Sequence, residues 1–330
     1  MKGSETVQSF SVLNYSGLLY NKADTATPFL NMISGNVKYT NSVEFVCGQY
    51  YTGEEGDIPA ISETASLTAP DATFVTRSQM TNVTQIFQES VAISYAKQSN
   101  MATLSGANIA NQVANPQEEL DFQVARKMEK VKRSIEKAFI QGTYNKATAD
   151  TEINKTRGMV SAITTNVVTA SGAELDLWLL DDAVKAIKES QGDISNLIVL
   201  VNSVNLLQIN KNAIEMGMPV GVAHDTEYGI QVSDVVLPIG ATVKIAIGAF
   251  IPSGTALIVN TDVVGPVEQP VPNKGNFFLE ELAKTGAGTK YQIFGQIGLD
   301  HGPEWFHAKI TGLSTSFTKP VGQKIVTVSA

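Results

Sequence analysis

Cysteine is almost absent. Cys47 is the only one in 330 residues, so no intramolecular disulfide can form, which fits a reducing compartment or a fold that needs no staple. It lies in an alternating apolar run, where a small buried side chain is expected rather than a nucleophile. Charge is modest at 17% of residues, as suits a surface largely covered in an assembly. Basic residues are outnumbered, and the net charge of −8 argues against a sequence-reading nucleic-acid binder, which needs a basic footprint. It leaves room for a container whose wall does not stick to nucleic acid. Long apolar runs are missing too. The stretch 243–259 is broken by Gly248, Pro252, Ser253 and Gly254 and reads as buried strands, not a membrane span. Lys2 is followed by polar residues where a secretory signal would carry an apolar core. No internal repeat or low-complexity block is present.

Catalytic patterns are equally scarce. The histidines are His224, His301 and His307. Asp300, His301, Glu304 and His307 do not follow the helical spacing of a metalloprotease, and Gly302-Pro303 breaks any helix there. In an extended segment His301 and His307 are expected roughly 20 Å apart. The run Lys284-Thr285-Gly286-Ala287-Gly288-Thr289-Lys290 fails the spacing of a phosphate-binding loop and reads as a glycine-rich turn. There is no nucleophile elbow and no dinucleotide fingerprint. Asp181 and Asp182 point apart on a helix and read as solvated surface. Basic residues do not interleave with aromatics, which removes a groove for single strands. The expectation is a chain that is no enzyme and takes no cofactor or metal.

What the sequence does hold is one long helical signal, from Asn115 to Gly142. Asn115 can cap it, Pro116 suits its first position, Glu118 completes a capping box and Gly142 is a left-handed stop. Leu120, Val124, Met128, Val131, Ile135 and Ala138 form an apolar stripe. The helix would be roughly 40 Å long. Arg126, Lys130, Arg133 and Lys137 line up roughly opposite that stripe. A solvated face is the plain reading; a face that meets an acidic partner is the sharper one.

Residues 1–38 show no clean period and read as an arm that packs on something else. Residues 43–52 and 73–97 read as strands joined by an acidic loop carrying Glu54, Glu55, Asp57, Glu63 and Asp71, so 40–97 forms a two-stranded ribbon with an acidic tip. Such a ribbon is marginal alone. Either a neighbouring chain covers it or it joins a sheet of its own chain. From 171 onward, Ser171 and Glu174 read as a capping box. Leu177, Leu180, Val184 and Ile187 form a helical stripe stopped by Gly192, 197–201 is a compact strand, and Asn202 or Ser203 caps a second helix. That order signals an α/β unit. Residues 228–264 are β-rich, 277–283 read as strand or helical turn, and 291–313 as extended chain.

This order of arm, acidic-tipped ribbon, long helix, α/β unit and extended return resembles the major capsid protein of tailed bacteriophages, the Hong Kong 97-type fold. Two segments carry the resemblance. One is the glutamate-containing helix ending in Gly142, followed by Thr156-Arg157-Gly158-Met159. The other is His307-Ala308-Lys309-Ile310-Thr311-Gly312-Leu313, which is similar to a closing motif of the SU-ten-like branch of major head proteins.

The resemblance implies an α+β fold with an N-terminal arm (1–39) and an extended β-ribbon loop (40–97) reaching over a neighbour. It implies a peripheral domain (98–169 and 289–318) built on a spine helix (116–141), an α/β axial domain (170–288) and a C-terminal tail (319–330). The implied function is self-assembly into pentameric and hexameric capsomers of an icosahedral phage head. That head encloses double-stranded DNA without sequence-specific binding, is built in the host cytoplasm and involves no membrane. Implied partners are the chain itself, a portal protein, and scaffolding and decoration proteins. The ribbon begins about forty residues from Met1, which implies a separate scaffold or none. No lysine lies between Lys38 and Lys97, so the family's ribbon-lysine cross-link is not expected. Glu54, Glu55, Asp57, Glu63, Phe122, Arg126, Lys130, Arg133 and Lys137 are the assembly-interface candidates. The alternatives are an encapsulin-like nanocompartment shell, told apart by a neighbouring cargo-enzyme gene in place of portal and terminase genes, and a soluble α/β enzyme, told apart by a compact monomer.

Overall fold

The computed structural model describes residues 27–51, 58, 60–69, 74, 77–96, 116–215, 224–227, 230–284 and 286–317. The core is laid down on two sheets. The larger has seven strands in the order β5 (Val167–Thr169), β14 (Ala308–Thr311), β10 (Thr255–Asn260), β6 (Leu197–Val201), β9 (Thr242–Ile247), β8 (Ile230–Val236) and β7 (His224–Glu227). β6, Leu-Ile-Val-Leu-Val, is buried throughout, because both of its faces are covered, as expected of a continuous apolar strand. Ile198 and Leu200 face one cluster with Leu257 and Val259. Leu197, Val199 and Val201 face a second cluster with Leu180, Val184 and Ile187.

Those last three residues lie on α4 (Leu177–Glu189), whose N-cap is Asp176, accepting from the Leu179 amide at 2.7 Å. The capping box expected at Ser171 and Glu174 does not form. Glu174 instead pairs with Lys211 at 2.8 Å, on α5 (Ser203–Glu215). Asn202 caps α5 through the Asn205 amide at 2.8 Å. The left-handed residue ending α4 is Gln191, φ 63, one position before the expected Gly192.

The smaller sheet is organised by β13 (Gly288–Asp300). Along one edge run β12 (Phe278–Glu281) and then β11 (Gly265–Glu268), which also pairs in parallel with β1 (Lys38–Tyr39). Along the other edge runs β4 (Gln85–Ser94), antiparallel from Gln85↔Ile297 to Ser94↔Gly288. The long strand expected over 73–97 is therefore divided. Only β3 (Arg77–Val83) pairs with β2 (Glu44–Tyr51) in a two-stranded ribbon; beyond Thr84 the chain joins the sheet of β13. For the half from Gln85 onward, the reading that it joins a sheet of its own chain holds. The glycine-rich segment 284–290 leads from β12 into β13.

The long helix is present as α2 (Pro116–Gln141), 26 residues; Asn115 and the side chain of Glu118 lie outside the described residues. Leu120, Val131 and Ile135 are buried, and Val124, Met128 and Ala138 half-buried. Its last turns are enclosed more fully, with Glu136, Phe139 and Ile140 all at 0% exposure, because the short helix α1 (Pro28–Ile33) covers a further side. Gly142 is not left-handed. It is required because its position is crowded by backbone: a Cβ there would lie 2.3 Å from the Ala138 carbonyl and 2.4 Å from that of Thr156. Gly158, before α3 (Met159–Ala162), is crowded in the same way. The motif Thr156-Arg157-Gly158-Met159 thus docks backbone to backbone against the end of α2.

Candidate assembly surfaces

The ribbon root is fixed by polar groups of unusual completeness. Asn82, fully buried at the end of β3, donates to the carbonyls of Leu299 (2.7 Å) and Arg157 (3.1 Å), and its Oδ1 accepts from the amides of Arg157 (2.7 Å) and Val83 (2.9 Å). It ties the ribbon to β13 and to the segment after α2. Beside it β2 bulges between Val46 and Gly48. Cys47 there is buried, and burial pushes its thiol up to about 12, so it is an inert packing group. Gly298 lets the Phe45 ring approach β13. Lys146 holds Glu44 from outside at 2.5 Å and keeps its carboxyl below the usual range.

Beyond the root, the described residues expose large apolar side chains. Ile58, Ile61, Leu67 and Phe74 are 93%, 68%, 85% and 91% exposed. Four large apolar side chains on one loop, at the end of a sheet only two strands wide, have little to gain from water and mark a surface for another protein. Glu63 is exposed on the same loop; Glu54, Glu55 and Asp57 lie outside the described residues.

The basic face of α2 is partly answered within its own chain. Glu89 on β4 takes both Lys130 and Lys127, the latter at 2.9 Å. Lys130 and then Lys127 hold its carboxyl below the usual range. Glu129 takes Arg126 at 3.0 Å and Arg133 at 3.8 Å. The half-buried Phe122 lies under Arg126, whose guanidinium carbon is 5.5 Å from the ring centre. Arg133 and Lys137 are exposed. Glu89 was visible as a signal: it alternates with Phe87 and Val91 on the strand face that turns toward α2.

Two further groups escaped the sequence. Both carboxylate oxygens of Glu136 accept backbone amides of α1, Phe29 at 3.0 Å and Leu30 at 2.7 Å. Thr27 makes no side-chain cap there, so Glu136, more than a hundred residues along the chain, caps α1. Burial pushes Glu136 up to about 7, against the pull of those amides.

The second is the pair of buried histidines. The separation expected between them does not occur, because Gly302, φ +59, and the 3-10 turn Glu304–Phe306 fold the chain back. His307 Nε2 lies 2.7 Å from the His301 carbonyl, and His307 Nδ1 accepts the Asn260 amide at 3.1 Å. Nε2 therefore carries the proton. Burial holds the ring neutral, with its pKa lowered to about 4. Glu304 accepts from the amides of Thr164 and Thr165, and Asp300 from Lys38 and the Gly302 amide. Asp300, Glu304 and His307 are thus engaged by the chain itself, while His301 meets the Gly302 carbonyl through Nδ1 at 2.8 Å and its buried Nε2 has no partner among the described residues. Asp181 likewise accepts the Ile239 amide at 2.8 Å and is not merely solvated.

Among curated proteins nothing matches. Solved structures share the fold. The capsid asymmetric unit of cyanophage A-1(L) superposes with TM-score 0.62 at 10% identity, over 91% of this chain and 98% of that one. A chain from the structure of Mycobacterium phage Patience gives 0.56 at 12%, over 92% and 87%. The holo-SrpI encapsulin complex of Synechococcus elongatus PCC 7942 gives 0.58 at 11%, over 94% and 99%. Fold alone does not separate phage head from encapsulin. The family model does: the SU10 major capsid protein model matches residues 3–314. With that match over nearly the whole chain, the protein belongs to the SU10 major capsid protein family and is a structural protein of a phage capsid shell.

Proposed function

We propose that copies of this chain form pentamers and hexamers that close into an icosahedral head around double-stranded DNA. The observation that carries this reading is the bare ribbon, rigidly rooted at Asn82 and Cys47 but exposing Ile58, Ile61, Leu67 and Phe74. A neighbouring subunit is the covering surface that repeats in a closed shell. In this reading residues 40–97 reach over the neighbour, 98–169 and 289–318 form the peripheral part around α2, and 170–288 form the axial part. The seven-stranded sheet draws β5 and β14 from outside 170–288, so in this reading the two parts share a sheet. A net charge of −8 supports DNA that is enclosed without being gripped. A portal, a scaffold and decoration proteins are the further partners of such a head, and the host cytoplasm is where it is built.

The ribbon supplies the test. Leu67→Ser with Phe74→Ser removes two exposed side chains, so subunit stability should change by only about 0.5 kcal/mol or less. Closed particles counted by electron microscopy should fall at least tenfold. Undiminished particles would remove the ribbon from the assembly contact.

A further inference from the structure

His301 is wholly buried, and its Nε2 has no hydrogen-bond partner among the described residues. Nδ1 lies 2.8 Å from the Gly302 carbonyl. A carbonyl can only accept, so Nδ1 carries the proton and Nε2 holds a bare lone pair. The ring sits where the ribbon meets the body. The bulge of β2 rests on the turn that follows His301: a Cβ at Gly48 would lie 3.5 Å from backbone atoms of Gly302 and Pro303. The His301 backbone also meets the Cys47 thiol. That turn has little freedom. Gly302 has φ +59, and a Cβ on it would come within 3.0 Å of Val263. The His301 carbonyl is held by His307 at 2.7 Å. Titratable and charged groups face the ring from each neighbouring element. Asp300 comes from β13, Glu304 and His307 from the 3-10 turn, Arg157 from the segment before α3 and Cys47 from β2. Lys38 on β1 pairs with Asp300 at 2.5 Å. Burial holds the pKa of His301 below its ordinary value, and Arg157 adds to that; the Gly302 carbonyl, Asp300 and Glu304 pull the other way.

We propose that His301 is an acid-sensitive pin of the ribbon: a proton taken up at Nε2 dislodges the turn 301–303 from the bulge of β2 and frees that side of the ribbon root from the body. The neutral ring is tolerated with Nε2 unmet. The cation carries a second N–H, and a buried charged donor must find an acceptor. The two carboxylates that face it are already taken, Asp300 by Lys38 and the Gly302 amide, Glu304 by the amides of Thr164 and Thr165. Water or a shifted carboxylate can serve it only if the turn moves, and the bulge of β2 stands on that turn. Opened to water, the ring takes its proton near pH 6.5; enclosed, it does so at lower pH. Opening is therefore favoured progressively as pH falls below about 6.5. On the β3 side, Asn82 holds the root through the Leu299 and Arg157 carbonyls, which do not titrate, so the response to acid belongs to the β2 side. The inference rests on the packing of the ribbon root, not on the capsid reading, and applies to a free subunit.

Backbone hydrogen exchange of the full-length chain, read by mass spectrometry between pH 7.5 and 5 and corrected for the intrinsic pH dependence of exchange, measures the opening. Peptides covering 43–48 should open about tenfold more at pH 5 than at pH 7.5, while peptides from β6 stay unchanged. In His301→Asn the amide nitrogen can take the place of Nδ1 and nothing titrates. Its root should match the natural chain at pH 7.5 and lose the response to acid. His307→Gln, which keeps a donor for the His301 carbonyl, should leave the response in place. Exchange of the hydrogen on the ring carbon between the two nitrogens gives the titration of His301 in the unsubstituted chain, so the readout survives a variant that fails to fold. Its midpoint should lie below 6.5. Three results would overturn the proposal. One is a root whose exchange ignores pH. Another is a folded His301→Asn protein that keeps the natural response, which assigns it to a different group. The third is a ring that titrates at or above its ordinary value, which leaves no coupling between proton and opening.

Discussion

Glu136 is the residue whose role departs furthest from its apparent place on a helix. Its charge is met by two amide protons of α1 rather than by a cation, and it titrates near 7 in the fold against 4.5 in its ordinary state. The unfolded chain releases this proton first. Glu136 therefore stabilises the fold most below about pH 4.5, and that contribution fades as pH rises to about 7. The difference is worth at most about 3 kcal/mol. His307 acts in the opposite sense: neutral and buried, it stabilises above pH 6.5 and loses that contribution as pH falls to about 4. The two offset each other in one window. Glu136→Gln removes one side of the balance, so its deficit in urea midpoint should widen as pH falls from 7.5 to 5. A constant deficit would contradict the role. Gly142→Ala should cost several kcal/mol or abolish soluble protein, because the atoms it meets are backbone carbonyls. Gly35→Ala, with nothing within 4 Å, is the control and should be nearly neutral. Neither Glu136 nor Asn82 stood out in the sequence, since the groups they bond come from segments far along the chain.

At the scale of elements, the spine helix was legible almost to the residue, because a 3.6-residue period, a proline and a terminal glycine agree over a long stretch. The strand over 73–97 was legible as strand but not as two. Pairing partners are set by tertiary contacts, and β13 lies two hundred residues further on, roughly, at Gly288–Asp300. Part of the acid that answers the basic stripe of α2 lies on β4, at Glu89. Arg133, which meets Glu129 at 3.8 Å, and Lys137 are exposed. Replacing both with Glu should leave the urea midpoint nearly unchanged and lower particle yield. Each exposed pair is worth only about 0–1 kcal/mol, and the effect is repeated at every copy. Normal particle yield would return the stripe to plain solvated surface.

At the scale of the molecule, two sheets, a spine helix and a remote cap make one well-filled body, from which a two-stranded ribbon projects with its apolar loop bare. The fold was legible from element order and two short motifs, whereas the polar pins that aim the ribbon depended on contacts no local pattern encodes. Such a body fits a shell tile. Expressing the chain and imaging the product by cryo-electron microscopy tests it most directly. Closed particles built of pentamers and hexamers are expected, each with its ribbon lying across a neighbouring subunit. Purified protein that remains a compact monomer at high concentration would contradict it.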